Sequence, residues 1–147
     1  MAKTYTKITI DYSRVKGLLS PRKKLDLEGV ALGILHLSPD EGYTFLHSHE
    51  KQEEVYIVLD GSGRIQIDEE LVDLRPGDYV RVSAPAHRAL CAGAGGLTII
   101  CTGAVPQGYP RNPDARYLID DGIPHYDEIP VWYRGNPDIV EKNRELD

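Results

Sequence analysis

Along most of this chain, apolar and polar residues alternate with a period of two in short runs separated by glycine, proline and aspartate. That alternation is the mark of half-buried β-strands, and hardly any stretch has a helical period. The pattern predicts strands at Lys7–Tyr12, Val30–Leu37, Thr44–His49, Glu54–Leu59, Arg64–Ile67, Tyr79–Val82, Ala86–Cys91 and Leu97–Thr102. Turns are expected at Ser38–Gly42, Asp60–Gly63, Arg75–Asp78 and Gly93–Gly96, where glycine supplies positive φ and proline pre-sets the bend. Many short strands at such spacing suggest an all-β closed sheet or double-sheet jelly roll, an architecture that leaves few exposed edges.

Beyond Thr102 the texture changes. Six of the ten prolines, four of the nine tyrosines and Trp132 fall there. The expected organisation is therefore a β-barrel over residues 1–103, with its core at 30–102. A Pro/Tyr-rich extension over 104–147 would pack on that barrel or on a partner subunit. Asn136 followed by Pro137 suits the start of a short closing helix, with asparagine as cap and proline in the first turn. A length of 147 residues fits one barrel domain with a sizeable core. Hydrophobic and charged fractions of 41% and 27% are ordinary for globular chains.

No apolar run reaches membrane-span length, and the first residues lack the apolar core of a signal peptide, so the expected location is the cytoplasm. Cys91 and Cys101 are then expected to be reduced thiols. A net charge of -6 offers no basic face for phosphates, which argues against nucleic acid as a partner.

Two of the five histidines, His47 and His49, stand one residue apart. In a strand they share a face with Phe45 and converge on one point. Glu54 opens the next predicted strand, and an antiparallel return carries its carboxylate back toward that point. Glu53, its neighbour, must face the other way, toward solvent. Glu54, Tyr56 and Val58 would then line the interior, with Val55, Ile57 and Leu59 outside. His87 lies beyond a further hairpin. Three imidazoles and one carboxylate suit divalent Fe, Mn, Ni, Zn or Cu, with positions left for water or substrate. The plain reading stays open beside this: a strand histidine is more often a hydrogen-bonded surface or core residue, and a Glu-Glu pair a solvated face.

The run from Gly42 through YTFL, His47-Ser48-His49, EKQE, Glu54 and VYIVLD to Gly61 resembles the first conserved motif of the cupin superfamily. Gly77-Asp78 leading through a strand to Pro85 and His87 resembles the second. Both motifs are one residue shorter than usual, and Cys91 stands where an asparagine is customary. The resemblance, over roughly Val30 to Thr102, implies a double-stranded β-helix with one divalent transition metal held by His47, His49, Glu54 and His87. It implies a metal-dependent enzyme acting on a small oxygenated molecule, of dioxygenase, isomerase or decarboxylase type. A non-catalytic small-molecule binding or sensing module is the alternative.

Around the metal, Tyr43, Phe45, Tyr56, His36 and Cys91 are candidates for a substrate pocket, each with a structural alternative: aromatic core filling, a packed histidine, a small buried thiol. Arg81 is either a rim contact for an anion or a surface arginine. His125 has no assigned role. The expected partners are a small-molecule ligand and a second copy of the chain in a homodimer, and no membrane.

Overall fold

The computed structural model describes residues 4–108, 123–128, 130, 133 and 135–146. The chain divides into two units, Met1–Gly108 and Tyr109–Asp147. The first is built on antiparallel strands: β1 (Gly17–Leu19), β2 (Ala31–Leu37), β3 (Glu53–Ile67), β4 (Glu70–Leu74), β5 (Tyr79–Val82) and β6 (Arg88–Ala104). A one-turn helix, α1 (Arg22–Leu25), lies between β1 and β2. The strands are ordered β1-β2-β6-β3-β4, with β5 also pairing to β3.

Two long strands organise this unit. β3 pairs with β6 along most of its length, with β5 at its first half and with β4 at its second. The sequence pattern splits each of them in two, placing turns at Asp60–Gly63 and Gly93–Gly96. Those glycines do not reverse the chain. They mark irregularities where the β3–β6 register shifts, between Val58 and Asp60 and between Gly61 and Gly63. Gly61 and Gly96 have φ of 80° and 78°, and a Cβ on Gly61 would run into the carbonyl oxygen of Gly96. Across this corner the buried side chains change parity, from Tyr56 and Val58 to Ile65 in β3, and from Leu90 and Ala92 to Leu97 and Ile99 in β6. These seven, with Leu35, Leu37, Leu74 and Val82, form one core cluster. Each large aliphatic side chain buried there contributes about 1.5–3 kcal/mol.

Other expectations shift. Lys7–Tyr12 is not a strand; its end leads into a short 3-10 turn at Tyr12–Arg14, capped by Asp11, whose Oδ1 accepts from the Ser13 amide at 3.0 Å. Thr44–His49 is no regular strand either: within it only His47 makes an isolated bridge, to Arg88 of β6, and Gly42 just before it makes another, to Cys91. β4 escapes the pattern because acidic Glu70 and Asp73 and exposed Leu71 interrupt its alternation, although Leu74 is buried. The turns at Ser38–Gly42 and Arg75–Asp78 form as expected, with the Glu41 and Asp78 amides donating to Ser38 and Arg75 carbonyls.

In the second unit the helix α2 spans Asp138–Arg144, with Pro137 in the cap position and no side-chain cap. Within it Arg144 pairs with Asp127 at 2.6 Å and Asn143 donates to the Tyr126 carbonyl. Trp132 lies outside the described residues.

Candidate metal centre

Glu54 stands at the second residue of β3, on its inward face, and is buried. The segment carrying the two histidines is stitched to the chain entering β6: the His47 amide donates to the Arg88 carbonyl (3.0 Å), the Arg88 amide to the His47 carbonyl (2.9 Å), and the His49 amide to the Ala84 carbonyl (2.8 Å). This stitching, rather than a continuous strand, turns both imidazoles toward Glu54. His47 Nε2 lies 3.9 Å and His49 Nε2 3.2 Å from Glu54 Oε1. The two rings meet edge to face, with centroids 5.2 Å apart. One ligand-competent atom from each of the three residues falls within 4.8 Å of the others.

His87 is not in this group. Its side chain is on the exposed face of its segment, while its amide donates to Asp68 Oδ1 at 2.9 Å. The inward position belongs to Arg88, which is 0% exposed and shares strand parity with buried Leu90 and Ala92. A strand alternates faces residue by residue, so a second motif one residue short delivers the next side chain to the site. The expected fourth ligand is thereby replaced by a guanidinium. Arg88 Nη2 donates to Glu54 Oε1 at 3.0 Å, and Nη1 donates to the carbonyls of Ala84 (3.2 Å) and Ala86 (2.6 Å). Local alternation gives no signal for this placement, since Ala89 and Cys91 set two apolar residues on the parity of His87 just as Leu90 and Ala92 do on that of Arg88.

Glu54 is enclosed by donors. Oε1 takes the Tyr56 hydroxyl (3.0 Å) as well as Arg88; Oε2 takes Gln52 Nε2 (3.3 Å) and Cys101 Sγ (3.3 Å). Burial alone would raise its pKa, but hydrogen bonds from Cys101 and Tyr56 and the charges of His49 and Arg88 bring it below its ordinary value. Burial, with the nearby negative charge of Glu54, pushes the Cys101 thiol up to about 12 and the Tyr56 hydroxyl well above its usual range, so both remain proton donors. Burial, then the charge of Arg88, lowers the pKa of His47 and favours the neutral imidazole that a metal needs.

A cavity of about 90 Å³ adjoins the cluster, walled chiefly by Leu18, Leu35, Tyr43, Tyr56, Leu90 and Cys101. Of the pocket candidates, Tyr43 and Tyr56 are there. Phe45 is 66% exposed and lines no part of it. His36 is on the other face of β2 from the core residues Leu35 and Leu37, its Nδ1 2.8 Å from Thr98 Oγ1, as a satisfied packed histidine. Cys91 lies by Gly42 and lines a separate, open depression with Asp40, Ser62 and Arg64. The thiol beside Glu54 is Cys101, on the interior parity of the later half of β6. Arg81 pairs with Glu53 at 3.3 Å on the surface, and His125 approaches Glu128 within the second unit.

The model of the cupin domain matches residues 33–103. An uncharacterized protein of Methanocaldococcus jannaschii is 30% identical over 105 residues, 69% of this chain and 81% of that protein. This chain belongs to the cupin superfamily. Among solved structures, a cupin protein from Bacteroides fragilis superposes with a TM-score of 0.72 at 27% identity, over 84% of this chain and 99% of that one. A sugar phosphate isomerase of the cupin superfamily from Silicibacter pomeroyi matches with a TM-score of 0.54 at 20% identity, over 59% of this chain and 57% of that one, a likeness of fold. The β-sheet of this cupin is accordingly a double-stranded β-helix, as the motifs implied.

The residues at this cupin's centre suit a divalent transition metal in their donor chemistry. Two imidazoles and a carboxylate are a mixed N/O set, and His49 Nε2 is a buried polar atom with no hydrogen-bond partner, since its approach to Glu54 is not aligned as a donor–acceptor pair.

Proposed function

We propose that this cupin is a metal-dependent enzyme, with His47, His49 and Glu54 holding one divalent transition metal and a small oxygen-bearing molecule entering the adjoining cavity. The observation that carries this reading is the unpartnered, buried His49 Nε2, set 3.2 Å from Glu54 Oε1 with His47 Nε2 across from it. Two histidines and one carboxylate leave several coordination positions open, a pattern that suits ferrous iron and admits Mn, Ni, Zn or Cu. The metal when bound would act as a Lewis acid toward a substrate oxygen or support oxygen chemistry.

The chain's own groups do the rest. Gln52 and Cys101 hold Glu54 through Oε2; Leu35 and Leu90 exclude water; and Tyr43, whose hydroxyl is held protonated by burial and by the charge of Glu41, offers a donor at the mouth. A cavity of about 90 Å³ admits only a few heavy atoms, so the ligand is small. The reaction belongs to the dioxygenase, isomerase or decarboxylase types. A non-catalytic binding module is the second reading, favoured by one observation: Arg88 already neutralises Glu54. We further take the protein to work in the cytoplasm as a homodimer. The free thiols of Cys91 and Cys101 agree with a reducing compartment. No helix among the described residues is long and apolar enough to cross a membrane.

Elemental analysis of protein purified without chelator or affinity nickel tests the metal, beside a His47→Ala, His49→Ala double variant. Near-stoichiometric metal that disappears in the variant is expected. Protein that stays metal-free when offered each ion in turn would direct the reading to the binding module.

A further inference from the structure

Arg88 has no place in the expected ligand set, yet it is the most completely buried charged side chain among the described residues. It cannot easily swing aside, because Nη1 is tied to two backbone carbonyls, those of Ala84 and Ala86. Its Nη2 meets Glu54 on Oε1, the same oxygen that faces both imidazoles. Oε1 also accepts from the Tyr56 hydroxyl, so both of its lone-pair directions are engaged by protein donors. A group that steadies a metal-bound carboxylate serves best on the oxygen the metal leaves free. Here that oxygen is Oε2, and Gln52 and Cys101 hold it. The guanidinium instead supplies positive charge where the metal would supply it, in a buried setting where like charges repel strongly.

We propose that Arg88 competes with the metal for Glu54 Oε1 and thereby sets the metal affinity of the centre, making it a weak, exchangeable site. The inference rests on the reading of His47, His49 and Glu54 as ligands. The opposite role, in which Arg88 positions Glu54 for the metal, predicts the opposite sign, because losing an outer-shell partner lowers metal affinity about 10–100-fold.

The test is a titration of chelator-stripped full-length protein with zinc, by competition with a chromophoric chelator, on the wild type, Arg88→Gln, Arg88→Lys and the His47→Ala, His49→Ala pair. Arg88→Gln is expected to bind zinc about tenfold more tightly or better, and Arg88→Lys, which keeps the charge, to stay near the wild type. Tighter binding by Arg88→Gln supports the proposal even if the wild type shows none. Equal or weaker binding by a folded Arg88→Gln overturns it, while zinc bound by the wild type and lost in the double-histidine variant leaves the ligand reading standing. Zinc bound by neither the wild type nor Arg88→Gln overturns both. Should Arg88→Gln fail to fold by circular dichroism, the wild type decides: the ¹⁵N side-chain signal of Arg88, assigned by its absence in Arg88→Lys, moves on adding zinc if the ion pair yields, and an unmoved signal overturns the proposal.

Discussion

The carboxylate of Glu54 and the guanidinium of Arg88 are the two charges on which the interior of this barrel depends. Each is buried, and each compensates the other. Removing one leaves the other uncompensated, so Glu54→Gln and Arg88→Met are each expected to lower stability by about 3–5 kcal/mol, measured by urea unfolding; unchanged midpoints would mean that the pair is not formed in solution. Acid sharpens the point. The pKa of Glu54 is lower in the folded protein than its ordinary value of 4.5, so the ionised carboxylate stabilises the fold above that value. This contribution is lost as pH falls through the folded value. Melting temperature followed from neutral to acid pH should drop more steeply in the wild type than in Glu54→Gln, and parallel curves would count against the depressed pKa. At this scale the H-x-H pair and Glu54 stood out as candidates from their spacing together with the motif they resemble. Arg88 and Cys101 did not, because which neighbour faces inward depends on register, and a one-residue shortening reverses it.

At the scale of elements, the long strands β3 and β6 turn a corner together, and the glycines there serve close backbone approach rather than chain reversal. Gly61→Ala meets both a positive φ and the Gly96 carbonyl, whereas Gly77→Ala, with φ of 92°, has no atom within 4 Å of the added methyl. Gly77→Ala is expected to cost about 1–2 kcal/mol from strain alone, and Gly61→Ala clearly more, read as the difference in thermal midpoints. Equal losses would show that the corner relaxes freely. The strands β2 and β5 could be read closely from alternation, and the halves of β3 and β6 as separate runs. Their continuity could not be read, since glycine looks the same in a sequence whether it makes a turn or a bulge. The Thr44–His49 segment misled for the reverse reason: its alternation is real, but its bonds go to isolated partners across the sheet.

For the whole molecule, the core cluster is drawn entirely from Leu35 to Ile99, within the unit Met1–Gly108. A chain ended at Gly108 should therefore keep its β circular-dichroism spectrum. If the residues from Tyr109 onward join two copies, the same truncation should convert a dimer to a monomer or an aggregate on size-exclusion chromatography; a truncated protein that still elutes as a folded dimer would remove the tail from the interface. The sequence by itself determined the all-β class and the inward face of early β3, because alternation acts through the local geometry of a strand, while its resemblance to the two motifs pointed to the family and to three ligand candidates. The tertiary structure decided what sits opposite those candidates. It put Arg88 in place of His87, Cys101 in place of Cys91, and left Phe45 and His36 outside the cavity. Those outcomes follow from register shifts and strand pairings between residues far apart in the chain, which local patterning does not encode.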